Sequence, residues 1–307
     1  MEMKEILLEV FYIIGGLIAI VAAYSALKDK EHPHGKETAL FWVLFGFVFI
    51  AGKYIPSWVV GAILLVMGVL TATKRVTFGS LKNAPDAFRE KSAETLKNKI
   101  FIPALAIGVV AFVIAQFIPS LGGLVGLGFG ALTATILAMI LTKDTPKNFG
   151  SEGSRILQQV GAASILPQLL AALGSLFTAA GVGEVIADGI GGVIPEGNIL
   201  AGVIAYCVGM AVFTMIMGNA FAAFAVITVG IGLPFVYAQG ANPAIAGALA
   251  LTAGYCGTLM TPMAANFNIV PAAVLEMKDN NGVIKAQFPV AVALLITHIV
   301  LMYFWAF

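Results

Sequence analysis

Charge is scarce in this sequence. Only 11% of its 307 residues are Asp, Glu, Lys or Arg, against about 25% in a soluble domain. A chain this poor in charge cannot cover a water-facing surface, which excludes a secreted enzyme, a nucleic-acid-binding module and a disordered scaffold. Histidine is confined to His32, His34 and His298, which argues against a His-rich metal centre. HExxH, G-x-x-x-x-G-K-[ST] and an acidic pair within an apolar stretch are all missing, and with them the basis for a metalloprotease, a nucleotide-driven pump or an aspartyl protease. We therefore expect no enzyme and no cofactor other than a bound ion. The two cysteines, Cys207 and Cys256, both fall in apolar stretches, where a thiol packs as a small hydrophobe.

What the sequence has in abundance is apolar length. Taking about 20 apolar residues per helical crossing, we expect spans at Ile6 to Leu27, Ala39 to Ile55, Ser57 to Thr73, Ile100 to Ile118 and Leu121 to Thr142. A stretch from Ile156 to Val182 follows, with a kink at Pro167. A Gly-rich acidic loop, Gly183 to Gly197, leads to two arms, Asn198 to Met217 and Phe221 to Ala238, then to Ala244 to Val274 and Phe288 to Phe307. The first run is too long for the core of a cleavable signal and reads as a retained helix. The fold class is all-α: a polytopic membrane protein with about eight or nine transmembrane helices, a re-entrant hairpin and a broken helix.

Orientation follows from the polar segments. Lys74 to Lys99 holds seven basic residues against three acidic ones, and the positive-inside rule places it in the cytoplasm. Propagation puts Lys28 to Thr38, Lys143 to Arg155 and Glu276 to Lys285 on the same side. The loop with Glu184, Asp188 and Glu196 and both termini then fall outside a bacterial cytoplasmic membrane. The basic segment reads as a solvated loop beside anionic lipid, with partner docking as the alternative.

The glycines Gly122, Gly126 and Gly130 recur every four residues at the start of a span, the close-packing pattern of membrane helices. More telling is the polar chemistry of the last third. TMIMGNAFAAFA, from Thr214 to Ala225, sets Gly218-Asn219 between two apolar arms. A turn of small residues and one Asn suits burial against protein, as the tip of a re-entrant hairpin. Ala244 to Val274 would be roughly 46 Å long as one straight helix, against a hydrocarbon core of about 30 Å. Gly254, Gly257 and Pro262 offer a break, surrounded by Thr258, Thr261, Asn266 and Asn268. Carbonyls freed at membrane depth must line a cavity or bind something. Paired unwound segments that offer carbonyls to a cation and helix N-termini to an anion are the site design of secondary transporters. A proline kink, with Thr and Asn bonded to nearby backbone, is the plainer alternative.

A small-Asn-small hairpin tip followed by small-Thr-x-x-Thr-Pro-x-x-x-Asn resembles one inverted repeat of the ion transporter superfamily, which includes divalent-anion/sodium symporters. The likeness spans Arg155 to Phe307, although no hydroxyl flanks Asn219. Over its full length the chain also resembles an uncharacterised bacterial membrane family, domain of unknown function 979. That resemblance implies a companion membrane protein and a small carboxylate such as 5-oxoproline as substrate.

Residues 1–150 read as a helical scaffold and oligomerisation region, and 151–307 as the transport region. The function expected is that of a subunit of a secondary active transporter for a small organic anion. Substrate would be held by Asn219, Thr258, Thr261, Asn266 and Asn268. Sodium would be held by oxygens of Gly218, Asn219, Gly257, Thr258 and Thr261, since neither cluster contains a titratable group. His298, in the last span, is the one group that could shift coupling to protons. The first half carries no second copy of the motifs, so the other half-site comes from a companion subunit or a homodimer mate. A non-transporting accessory subunit is the alternative function. The partners expected are the organic anion, the lipid bilayer and that second subunit, with no nucleic acid.

Overall fold

The computed structural model describes residues 2–143, 145–191 and 197–307. Among the described residues all regular structure is helical. Seven helices are long and apolar enough to cross a membrane: Met3–Lys28, Asp86–Phe117, Gly122–Thr142, Asn148–Ala179, Ile199–Met217, Ala220–Gln239 and Gly282–Trp305. Ser57–Ala72, Pro243–Leu259 and Ala265–Val274 are shorter apolar helices. By length and composition this is a multi-pass membrane protein. The chain divides into two compact units, Met1–Gly161 and Ala162–Phe307.

The first unit contains α1 (Met3–Lys28), α2 (Gly35–Ala51), α3 (Ser57–Ala72), α4 (Asp86–Leu96), α5 (Phe101–Phe117), α6 (Gly122–Thr142) and α7 (Pro146–Val160). In an apolar solvent helices gain little from burying apolar side chains, so small residues that allow backbones to touch decide the pairing. A Cβ on Gly16 of α1 would stand 2.8 Å from the carbonyl of Gly46 in α2, and one on Gly46 would stand 2.7 Å from that of Gly16. On α6, Gly126 and Gly130 meet the backbone of Ala111 and Ile107 on α5 in the same way. Gly122 does not join them. It opens α6 with a φ of +74° and faces the Lys4 side chain.

A strap of extended chain before α4 is tied to the α1–α2 connection. Thr38 Oγ1 accepts from the N–H of Thr77 at 3.1 Å. Asp29 accepts from the Ser80 N–H at 2.6 Å and from its hydroxyl at 2.8 Å. The Asp29 carboxyl is held below the usual carboxylate range, first by the Ser80 N–H, with the Ser80 hydroxyl, the Glu31 N–H and His32 assisting and desolvation opposing.

In three places the local structure departs from the sequence reading. Residues 146–155, expected as loop, begin α7, where Thr145 caps the helix through the Asn148 N–H. The break in the long apolar stretch lies at Gly161, not Pro167. Gly161 takes a φ of +49°, a conformation that costs glycine nothing, whereas Pro167 sits in the first turn of α8 (Leu166–Ala179), where its missing N–H has no partner to lose. The Gly-rich acidic segment is helical over α9 (Val182–Gly191), with Glu184 in its first turn. Glu196 lies outside the described residues.

The second unit adds α10 (Ile199–Met217), α11 (Ala220–Ile227), a π-helical turn at Thr228–Gly232, α12 (Leu233–Phe235), α13 (Pro243–Leu259), α14 (Ala265–Val274) and α15 (Gly282–Trp305). Its core gathers on α10, where Tyr206, Cys207, Met210 and Met217 are fully buried against α11, α13 and α15. The arm after Asn219 is not one helix. It widens into the π turn, where Thr228 Oγ1 lies 2.7 Å from the Tyr206 hydroxyl.

Two outcomes test these contacts. Gly46→Leu should cost about 1–3 kcal/mol by overpacking, read as a lower unfolding midpoint in detergent, while Gly61→Leu, with open space around it, should leave the midpoint unchanged. Asp29→Ala should speed amide exchange at residues 77–81. Because the folded carboxyl is depressed, its stabilisation is present above the unfolded value of about 3.9 and lost as pH falls through the folded one. Acid should therefore erase the difference between the variant and the parent.

Candidate functional site

The hairpin tip is assembled by two capping events. Gly218 ends α10 with a φ of +67° and its N–H donates to the Thr214 carbonyl at 2.7 Å. A side chain there is doubly forbidden, because a Cβ would stand 2.5 Å from the Met263 carbonyl. Asn219 is extended and caps α11, its Oδ1 accepting from the N–H groups of Phe221 at 2.9 Å and Ala222 at 3.3 Å. The cap uses the side-chain oxygen and leaves Asn219 its amide donors.

The second break lies between α13 and α14, at residues 260–264 around Pro262. Gly254, expected to contribute to the break, does not: it lies inside α13. Its missing Cβ makes room for Met210 of α10, whose Cε would be 2.8 Å away, and Gly257 likewise seats against the Ala211 carbonyl. Close approach of α10 to α13 accounts for both glycines. Thr261 ties the break to the end of α10, donating to the Met215 carbonyl at 2.8 Å and accepting from the Met263 N–H at 3.2 Å. Thr258 donates to its own helix at the Tyr255 carbonyl, 2.7 Å away.

Asn268 reaches back from α14 to hold the break closed. It is fully buried, and its Nδ2 donates to the carbonyls of both Thr258 and Thr261 at 2.7 Å. Those are carbonyls that the end of α13 frees. Its Oδ1 is buried with no partner among the described residues, as is the hydroxyl oxygen of Thr214.

The two segments enclose a cavity of about 210 Å³. Gly218, Asn219, Thr258 and Asn266 line it, together with Tyr255, Phe221, Met263 and, from α8, Leu170. Thr261 and Asn268 are not among the lining residues, and Gly257 faces α10 instead. No charged side chain is among the lining residues. The first residues of α11 and α14, Ala220 and Ala265, both reach the wall, so two helix N-termini bring their partial positive charge to one small space. The α14 terminus has no side-chain cap.

Residues 9–307 match the family described as Protein of unknown function (DUF979). The chain belongs to that family. No curated protein matches it. A solved structure of Neisseria gonorrhoeae MtrF, presented as illuminating a class of antimetabolite efflux pumps, is similar at 16% identity over 99% of this chain and 75% of that one, with a TM-score of 0.34. A likeness at that level assigns neither fold nor activity.

Several cavity residues of this DUF979 protein escape a reading of its motifs. Tyr255 carries a signal that could have been used, since it precedes Thr258 by three residues and shares its helix face. Its ring meets Phe221 edge-on at 6.1 Å. Leu170 is far away in sequence and carries none. His298 does not line the cavity, and its Nδ1 lies 2.7 Å from the Leu294 carbonyl one turn earlier in α15. No group of three or more His, Cys, Asp or Glu suited to a metal ion occurs among the described residues.

Asn268→Leu would orphan two buried carbonyls, at about 1–3 kcal/mol each, and should lower the unfolding midpoint clearly. Asn266→Leu, at an exposed position, should not. Equal midpoints for the two variants would mean that Asn268 does not hold the break.

Proposed function

We propose that this chain is a subunit of a secondary transporter that carries a small organic anion across the bacterial cytoplasmic membrane, coupled to sodium. The observation that carries this reading is the convergence of two helix N-termini on an uncharged cavity of about 210 Å³ with Asn219 and Asn266 in its wall. Each N-terminus is equivalent to about half a positive charge. Together they suit a single carboxylate, which the amides of Asn219 and Asn266 would orient. The resemblance to carriers of small carboxylates makes 5-oxoproline the first substrate to try.

Sodium coupling is favoured by the kinds of atom present. No acid, histidine or lysine lines the cavity, and a sodium ion requires only oxygens. Of the oxygens expected to hold it, Asn219 Oδ1 already caps α11, and the carbonyls of Thr258 and Thr261 already accept from Asn268. Asn268 Oδ1 and Thr214 Oγ1, two of the buried side-chain oxygens without a partner among the described residues, are the better candidates, so Asn268 moves from the substrate set to the ion set. In this reading the Gly218–Asn219 hairpin is re-entrant, the chain makes eight or nine crossings with residues 74–99 cytoplasmic, and a companion subunit of opposite topology supplies the other half-site.

The test is uptake of labelled 5-oxoproline into proteoliposomes made with this chain and with each candidate companion membrane subunit, at fixed membrane potential. Sodium gradients should drive uptake, choline should not replace sodium, and Asn266→Ala should reduce uptake at least tenfold, about the loss of one charge-assisted hydrogen bond. Uptake driven by a pH gradient alone and abolished by His298→Ala would transfer coupling to protons. Absence of exchange for every small carboxylate tried would favour an accessory subunit.

A further inference from the structure

The amphipathic helix α4 is not accounted for by the transport site. It has no fully buried residue; Ser92 and Leu96 are half-covered by protein and its other residues are exposed, and its contacts lie chiefly with the turn that follows it and with α6. Phe88, Ser92 and Leu96 stand at i, i+4 and i+8 and form one stripe. Asp86, Glu90 and Glu94 form a second with the same spacing, two residues out of phase. Two residues are about 200° of helix rotation, so the acids point directly away from the apolar stripe. Arg89 and Lys91 fall between the stripes, one on each flank, with Arg89 in an exposed pair with Asp86 at 3.4 Å that a phosphate would replace.

The covalent connection fixes where this helix lies. A single 3-10 turn, Lys97–Ile100, joins it to α5, whose apolar span begins at Phe101. Ile100 and Phe101 are 53% and 61% exposed, and Phe88 is 59% exposed. A helix tethered four residues from the mouth of a spanning helix is held at the membrane surface. There an apolar stripe, basic flanks and an outward acidic face are the arrangement of an interfacial helix, with the cations at headgroup height and the acids in water. Lys97 and Lys99 in the turn add two cations at the same level.

We propose that α4 docks on an anionic phospholipid leaflet, with Phe88 and Leu96 among the upper acyl carbons and Arg89, Lys91, Lys97 and Lys99 on the phosphates. The attraction is charge-dependent, so it weakens as salt rises. It does not depend on what the protein transports.

The experiment uses the full chain in nanodiscs of phosphatidylcholine alone or mixed with phosphatidylglycerol. An environment-sensitive NBD label is placed at Ser92→Cys, on the apolar stripe, or at Ala87→Cys, five residues away on the far side. Both native cysteines are buried, and the unsubstituted chain serves as the labelling blank. The label at 92 should shift to the blue and be quenched by brominated lipid several-fold more than the label at 87, and phosphatidylglycerol should increase the difference. Arg89→Gln with Lys91→Gln, both exposed and free of core contacts, should return the signal to its value in phosphatidylcholine, as should high salt. Equal quenching at 87 and 92 would overturn the proposal. So would shielding at 92 that is the same in lipid-free detergent as in either nanodisc, since a protein surface would then be covering the stripe.

Discussion

In an apolar surrounding a backbone carbonyl released from a helix has no water to turn to, and the second unit of this protein is arranged around that constraint. Ending α13 at Leu259 frees carbonyls that the next turn would have used. Asn268 meets two of them with one amide group, Thr261 bridges to the carbonyl of Met215, and the break becomes a fixed shape. The hairpin tip is settled by the same means, with Gly218 turning the chain and Asn219 satisfying the first N–H groups of α11. Polar side chains thus repair two helix interruptions, and the interruptions bring two helix N-termini to one cavity.

Close backbone approach is what lets these repairs reach. Gly254 and Gly257 let α10 lie against α13, and Gly218 lets the tip touch the carbonyl of Met263. A methyl group at Gly218 or Gly257 would meet backbone and force the segments apart, whereas at Gly254 it would first displace the end of the Met210 side chain. Of these three glycines, only Gly218 also needs its freedom of φ. The first unit uses the same device at Gly16 with Gly46 and at Gly126 and Gly130.

Much of the candidate site was legible in the sequence because its elements are anomalies in an apolar background. A lone Asn between two long apolar arms, and a Thr-x-x-Thr-Pro run in a stretch too long for one crossing, both stand out, and both fall at the cavity. What those anomalies did not reveal is which atoms they use on each other. Asn268 had the look of a ligand residue, yet its amide is committed to the break, and only its oxygen remains. Gly254 had the look of a breaker, yet it is a contact. The difference in each case is a neighbour from a distant part of the chain.

Composition by itself determined that this is a helical, multi-pass membrane protein. Apolar length and scarce charge are properties of the whole chain, and the bilayer permits few ways to satisfy a spanning backbone. Local chemistry also determined where the chain had to be interrupted in its last third. Tertiary structure decided the rest: that the long stretch breaks at Gly161 rather than Pro167, that the acidic Gly-rich segment forms α9, that the arm after Asn219 opens into a π turn, and that Tyr255 and Leu170 help to close the cavity. The cavity wall above all depends on contact between residues far apart in the chain, Leu170 against Gly218 and Phe221 against Tyr255, and such partners cannot be read from local spacing.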